Sequence, residues 1–82
     1  MTAAERRKRE LEALIGLGWQ IVLHAKQRAT VGPLEIFLCA GRWMNHATGE
    51  RGKINRLSMV ELIVRELSSE ERERISRTRA RR

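Results

Sequence analysis

The chain has 82 residues, of which 17 are Lys or Arg and 10 are Asp or Glu, and its formal net charge is +7. A chain of this size forms one small domain and is too short for an enzyme with a deep catalytic pocket. The positive charge indicates a polyanionic partner, while the single cysteine excludes an internal disulfide and favours a reducing, cytoplasmic setting.

Ten of the 17 basic residues lie in two terminal tracts: Arg6, Arg7, Lys8 and Arg9, and then Arg72, Arg74, Arg77, Arg79, Arg81 and Arg82. A guanidinium group donates paired hydrogen bonds to phosphate and stays charged at every physiological pH. We therefore divide the chain into a basic N-terminal arm (1–10), a helical core (11–67) and an arginine-rich C-terminal helix or tail (68–82). Both tracts are predicted to contact phosphate, and a merely solubilising surface is the alternative interpretation.

The first predicted helix follows the N-terminal tract. Apolar or small residues recur there at helical spacing: Leu11, Leu14, Ile15, Gly18, Val22, Ala25 and Ala29. Residues 19–23 are also compatible with a strand, but the helical stripe continues through them, so the pattern favours a helix. The longest nearly apolar run, residues 14–23, is far shorter than the roughly 20 residues of a membrane span, so we expect no membrane association.

The second predicted helix begins at Pro33, whose fixed φ and missing N–H suit the first helical position, and runs to about residue 47. One face of this helix is apolar and is predicted to bind a protein; it consists of Ile36, Ala40, Trp43 and Ala47. A second copy of the chain, giving a homodimer, is an alternative occupant of that face.

The third predicted helix has the clearest start, because Ser58 and Glu61 have capping-box spacing, and Ser68 with Glu71 repeats that spacing for a fourth. The predicted fold is therefore all-α, a small bundle of three to four helices with basic, partly flexible termini.

A Gly-x-x-Gly connector, residues 49–52, lies between the second and third predicted helices, with basic residues at Arg51, Lys53 and Arg56. Glycines let a backbone approach phosphate closely, and a helix N-terminus nearby favours an anion, so these three side chains are further predicted nucleic-acid contacts. The spacing resembles the clamp of KH domains, but the strands which that fold requires are not evident. It does not match a Walker A loop, and an ordinary flexible loop is the alternative.

His24, Cys39 and His46 are the soft metal ligands of the chain, and their spacing matches no zinc motif. No scaffold for a thiol nucleophile accompanies Cys39. We therefore expect no metal, no cofactor and no catalytic residue.

The first half of the chain combines a basic tract with a run of small and apolar residues: Ile15, Gly16, Leu17, Gly18, Ile21, Val22 and Ala25, then Phe37, Leu38, Cys39, Ala40 and Gly41. That order, over about residues 6–44, resembles the small TraD-type conjugal-transfer accessory proteins of plasmids, which are short, basic and helical. The resemblance implies a DNA-processing accessory role on a mobile element, with no catalytic residues to transfer.

The sequence thus predicts a non-enzymatic protein that binds nucleic acid or a nucleoprotein complex through arginine-rich arms. The rival hypothesis is a mobile-element inhibitor, similar to anti-CRISPR proteins, which docks on a host effector complex through the face that contains Trp43. A dimer with merely solubilising arms is a third hypothesis.

Overall fold

The structure is a computed structural model that describes residues 2–25 and 27–76. The helices are α1 (Ala3–Gly16), α2 (Met59–Glu66) and α3 (Ser69–Ser76). The strands are β1 (Val22–His24), β2 (Arg28–Val31), β3 (Leu34–Phe37), β4 (Arg42–Asn45) and β5 (Arg51–Lys53). The strands form one antiparallel sheet in the order β1-β2-β3-β4-β5, so each strand pairs with its neighbour in the chain.

The all-α prediction is therefore wrong, because residues 22–53 form a five-stranded sheet where the end of one helix and the whole of another were expected. Strands of three or four residues are too short for a two-residue period to stand out against a helical stripe. Both helices of the C-terminal part begin where the capping boxes predicted, and the segment before residue 10 belongs to α1.

The first helix ends because Gly18 adopts a left-handed backbone conformation, with φ +100. The amide of Gly18 donates to the carbonyl of Ile15 at 2.9 Å, and the amide of Trp19 donates to the carbonyl of Leu14 at 3.1 Å. These two bonds form a Schellman motif, which satisfies the last carbonyls of the helix and turns the chain away. The predicted continuation of the helical stripe beyond Gly18 is therefore wrong.

The connection between β2 and β3 consists of Gly32 and Pro33, and Val31 pairs directly with Leu34 across it. Gly32 has φ +58, the sign that two-residue hairpin turns require at their first central position. Pro33 follows it where no ladder hydrogen bond needs an amide. Proline thus belongs to a hairpin turn and not, as predicted, to the start of a helix.

The hydrophobic core lies between one face of the sheet and the helices. The sheet contributes Ala29, Val31, Leu34 and Ile36, and the helices contribute Leu11, Leu14, Met59, Leu62, Ile63 and Ile75. Since residues of all three helices join this single core, the helices cover one face of the sheet, as is common in antiparallel sheets. The other face carries the alternate residues of every strand.

Two polar contacts fix α2 in place. The Asn45 side chain, 2% exposed, donates from Nδ2 to the carbonyl of Glu66 at 2.9 Å, and its Oδ1 accepts from the Ala47 amide at 2.9 Å. The carboxylate of Glu10 on α1 accepts from the amide of Met59, the first residue of α2, at 2.9 Å. Both ends of α2 are therefore bonded to other elements.

The capping box of α2 is confirmed, since the Glu61 amide donates to Oγ of Ser58 at 3.1 Å and the Ser58 amide donates to Oε1 of Glu61 at 2.9 Å. The backbone hydrogen bond from Ser58 lowers the pKa of the Glu61 carboxyl below its ordinary value of 4.5. Among residues 2–25 and 27–76, no helix has the length and apolar character needed to cross a lipid bilayer.

Candidate nucleic-acid interface

The sheet face that no helix of the described chain covers is called here the open face. It consists of the outward residues of the five strands: Val22, His24, Arg28, Thr30, Glu35, Phe37, Arg42, Met44, Arg51 and Lys53. None of these residues belongs to the hydrophobic core, whereas their neighbours Ala29, Leu34 and Ile36 are fully buried in it. The side chains of the open face are therefore accessible to a molecule that binds the sheet.

One row of the open face is basic and has an aromatic residue in the middle. Arg28 pairs with Phe37, Phe37 with Arg42, and Arg42 with Lys53, across β2, β3, β4 and β5. Directly opposed residues in an antiparallel sheet have Cβ atoms about 4.5–5.5 Å apart. Three positively charged side chains and one phenyl ring therefore lie side by side on four adjacent strands.

The next row contains the one acidic residue of the open face. Oε2 of Glu35 forms an ion pair with Nη1 of Arg28 at 3.2 Å, and Oε1 of Glu35 lies 2.8 Å from Nε2 of His46. Arg51 follows in the same row, opposite Met44. The open face thus carries four basic residues to one acidic residue, against 17 to 10 for the whole chain.

Three of the four cations are available for an external anion. Arg42, Arg51 and Lys53 are exposed, and within residues 2–25 and 27–76 none of them lies within 4.0 Å of a carboxylate. Bringing like charges onto neighbouring positions costs electrostatic energy, which a bound polyanion would offset.

The Gly-x-x-Gly connector does not form a phosphate-binding loop. Gly52 lies on β5 opposite Trp43, and a Cβ atom there would come within 3.1 Å of Cζ2 of that indole ring. The glycine therefore makes room for Trp43. The predicted contacts Arg51 and Lys53 flank it on the open face, while Arg56 is exposed in the connection between β5 and α2.

The N-terminal tract lies on α1, where Arg6, Lys8 and Arg9 are exposed. Arg7 is only 7% exposed, and its Nη1 donates to the carbonyl of Leu38 at 2.7 Å. This side chain anchors α1 to the end of β3 and is not placed to reach a phosphate, so the prediction that it is a contact is corrected.

The C-terminal tract is described only in part. Arg72 is half-buried and Arg74 is exposed, both on α3. The predicted contacts Arg77, Arg79, Arg81 and Arg82 lie outside the described residues.

The predicted protein-binding face of the second helix does not exist, because that helix is absent. Ile36 is fully buried in the core, and Trp43 packs against the core on the inner face. Ala40 and Ala47 are exposed in two different turns. The four residues do not share a surface, so the docking face of the inhibitor and dimer hypotheses is corrected as well.

The soft metal ligands identified in the sequence do not form a cluster in this fold. Cys39 is exposed in the turn between β3 and β4, and His24 contacts Oγ1 of Thr30 through Nε2 at 2.7 Å. Within the described part of the chain, no three His, Cys, Asp or Glu side chains are grouped so that they could hold a metal ion.

A scan against protein-family models, a search of curated proteins and a search of solved structures each found no match to this chain. The resemblance to TraD-type proteins stays a prediction, and the arguments about function that follow rest on the geometry of the open face.

Arg28, Phe37 and Arg42 were not among the residues predicted to form a functional site. A signal was present: Arg28 to Val31 and Leu34 to Ile36 alternate in polarity around Gly32 and Pro33, the pattern of a hairpin. The two-residue period of strands in this hairpin places Arg28, Glu35 and Phe37 on one face.

Proposed function

We propose that this is a non-enzymatic protein that binds nucleic acid, with the open face as its main phosphate contact. The observation that supports the proposal is the excess of cations on a sheet face without a helical cover: Arg28, Arg42, Arg51 and Lys53 accompany one carboxylate, that of Glu35. Arginine and lysine on such a surface neutralise phosphates and release counterions, which gives affinity without sequence specificity.

Structural roles account for only part of this charge. A solvated sheet face is expected to be polar, and basic residues on an edge strand such as β5 also discourage pairing with another sheet. Neither role requires the charges to share one sign, and the edge-strand role does not apply to Arg28 and Arg42, which lie on interior strands. The accessory role on a mobile element, and additional contacts from Arg72, Arg74 and the arginines that follow, belong to the proposal as predictions.

The test compares two variants that lose the same charge from different surfaces. In the face variant, Arg42, Arg51 and Lys53 are each replaced by Gln. In the control variant, the exposed helix residues Arg9, Arg65 and Arg74 are each replaced by Gln. Binding to a fluorescent single strand and a fluorescent duplex is measured from about 50 to 200 mM salt, the range over which phosphate contacts lose most of their affinity.

The wild-type protein is expected to bind at low salt with a negative slope of log affinity against log salt. Each lost phosphate contact flattens that slope by about 0.7 on a single strand, so the face variant should flatten it by about 2. The control variant should flatten the slope less than the face variant does, because Arg9 and Arg74 are predicted only as additional contacts beside the open face. Equal losses in both variants, or no binding by the wild type at low salt, would overturn the proposal.

A further inference from the structure

Phe37 is the aromatic residue of the open face. The chain contains three aromatic residues, and the other two, Trp19 and Trp43, pack against the hydrophobic core. Phe37 lies on β3, the middle strand of the sheet, and is half-buried between its cross-strand neighbours Arg28 and Arg42. The ring of Phe37 belongs neither to the core nor to the partly buried hydrophobic residues packed against it, so it can contact a ligand on the open face.

Open space borders Phe37 on two sides. A depression of about 310 Å³ reaches it from the β4 and β5 side, and its lining includes Met44 and Lys53. A second depression, of about 550 Å³, reaches it from the β1 and β2 side and is lined also by His24 and Arg28. The ring therefore lies between two depressions that are each lined in part by basic residues. A planar group can lie beside the ring in either depression.

A nucleic acid supplies both chemistries that this arrangement accepts, a phosphate for the cations and a planar base for the ring. The face of a base is free only where the strand is unstacked, as in single strands and loops. Open sheets that stack bases on aromatic side chains are a known means of holding single strands.

A duplex fits the open face less well. Five strands at a spacing of about 4.8 Å make a face about 19 Å wide, whereas the major groove of B-DNA is about 12 Å wide. The whole face cannot enter such a groove, so against a duplex it reaches phosphates alone and Phe37 has no base to contact.

We propose that the open face binds single-stranded nucleic acid, with one base stacked on Phe37 and the adjoining phosphates held by Arg42, Arg51 and Lys53. This inference rests on the proposed function, which requires phosphate contact but does not require stacking. Ring and cations act separately: the ring contributes affinity that salt does not screen, and the cations contribute the part that salt removes.

The test uses Phe37→Leu, which keeps an apolar side chain but removes the ring, and Phe37→Trp, which enlarges the ring. Affinities are measured for single-stranded DNA, single-stranded RNA, a DNA duplex and polyglutamate, with circular dichroism to verify folding. Phe37→Leu should lower the affinity for the preferred single strand by about 5- to 150-fold, with an unchanged salt slope and an unchanged affinity for the duplex. Phe37→Trp should retain the wild-type affinity or exceed it.

Fluorescence gives a second measurement that does not depend on the folding of the leucine variant. A base stacked on residue 37 should quench the added tryptophan of Phe37→Trp beyond any change seen in the wild type. Tighter binding of either DNA or RNA single strands than of the duplex, together with this quenching, supports the proposal.

The two proposals fail in different ways. If Phe37→Leu changes nothing and the added tryptophan is not quenched, while the face variant still loses its salt slope, stacking is overturned and phosphate binding stands. If wild-type protein binds no nucleic acid at low salt, both are overturned. Binding of polyglutamate as tight as that of the single strand would overturn the stacking proposal in favour of an acidic protein partner.

Discussion

Replacing Arg7 by Ala should destabilise the protein while leaving its phosphate contacts in place, although Arg7 lies within a tract of four basic residues. Its guanidinium donates from Nη1 to the carbonyl of Leu38 at 2.7 Å and lies against Gly41, where a Cβ atom would come within 3.4 Å of Nη2. The side chain therefore connects α1 to the turn that follows β3. Arg9, two positions later, is exposed and serves as the matched control.

The magnitude follows from the groups that the substitution removes. Deleting the Cγ and Cδ methylenes costs about 1.6 kcal/mol, at about 0.8 kcal/mol for each buried methylene. Leaving the Leu38 carbonyl without its charged donor costs about 1.5–3 kcal/mol. About 1–3 kcal/mol is recovered, because Nε of Arg7 is buried and has no hydrogen-bond partner among the described residues. The net loss is about 2 kcal/mol.

Thermal unfolding followed by tryptophan fluorescence measures this loss. For a domain of this size, about 2 kcal/mol corresponds to a fall in Tm of about 8–16 °C. Arg9→Ala should change the free energy of unfolding by no more than about 0.5 kcal/mol, as is usual for an exposed residue. If the two variants melt together, Arg7 does not anchor the helix, and the reasoning from its burial and hydrogen bond is refuted.

Two further predictions concern carboxylates. Glu35→Gln should raise the affinity for nucleic acid at low salt and make the salt slope steeper by about 0.7, because it releases Arg28 from an ion pair of 3.2 Å. The same change at the exposed residue Glu12 on α1 should have much less effect on the affinity. Equal gains in affinity from the two variants would contradict the open-face assignment. The Glu61 carboxyl has a lower pKa in the folded state than its ordinary 4.5, so its contribution to stability is fully present above about pH 4.5 and is lost as pH falls through the folded-state pKa. Glu61→Gln should keep the capping bonds and weaken the dependence of the urea midpoint on pH between about pH 5 and 3, and an unchanged dependence would rule out this role for Glu61.

Helix starts were predictable because capping is local. Ser58 with Glu61, and Ser68 with Glu71, lie three residues apart in the chain, and each pair exchanges the hydrogen bonds that its spacing indicates. The same box at Thr2 and Glu5 begins α1, within the segment that was predicted to be an arm. No distant residue is needed to form any of these caps, so the sequence is sufficient to locate them.

The sheet was not predictable in this way, because its stability comes from pairing between strands. Gly18, Val22 and Ala29 have helical spacing, yet Gly18 ends a helix, Val22 is exposed on an edge strand, and Ala29 is fully buried in the core. The hairpin at Gly32 and the burial of the inner sheet face distinguish a strand from a helix in this segment. Both are properties of the folded chain.

The sequence by itself determined the positive charge of this protein and the starts of its last two helices, because composition and capping depend on residues close together in the chain. Only the tertiary structure decided which charges share a surface. In the folded chain, Arg7 is buried beneath a turn. The pairing of β2, β3 and β4 places Arg28, Phe37 and Arg42 in one row. The physical reason is register: in a sheet, the partners of a side chain are set by the pairing of strands, and a shift of one residue would turn each of these side chains toward the opposite face.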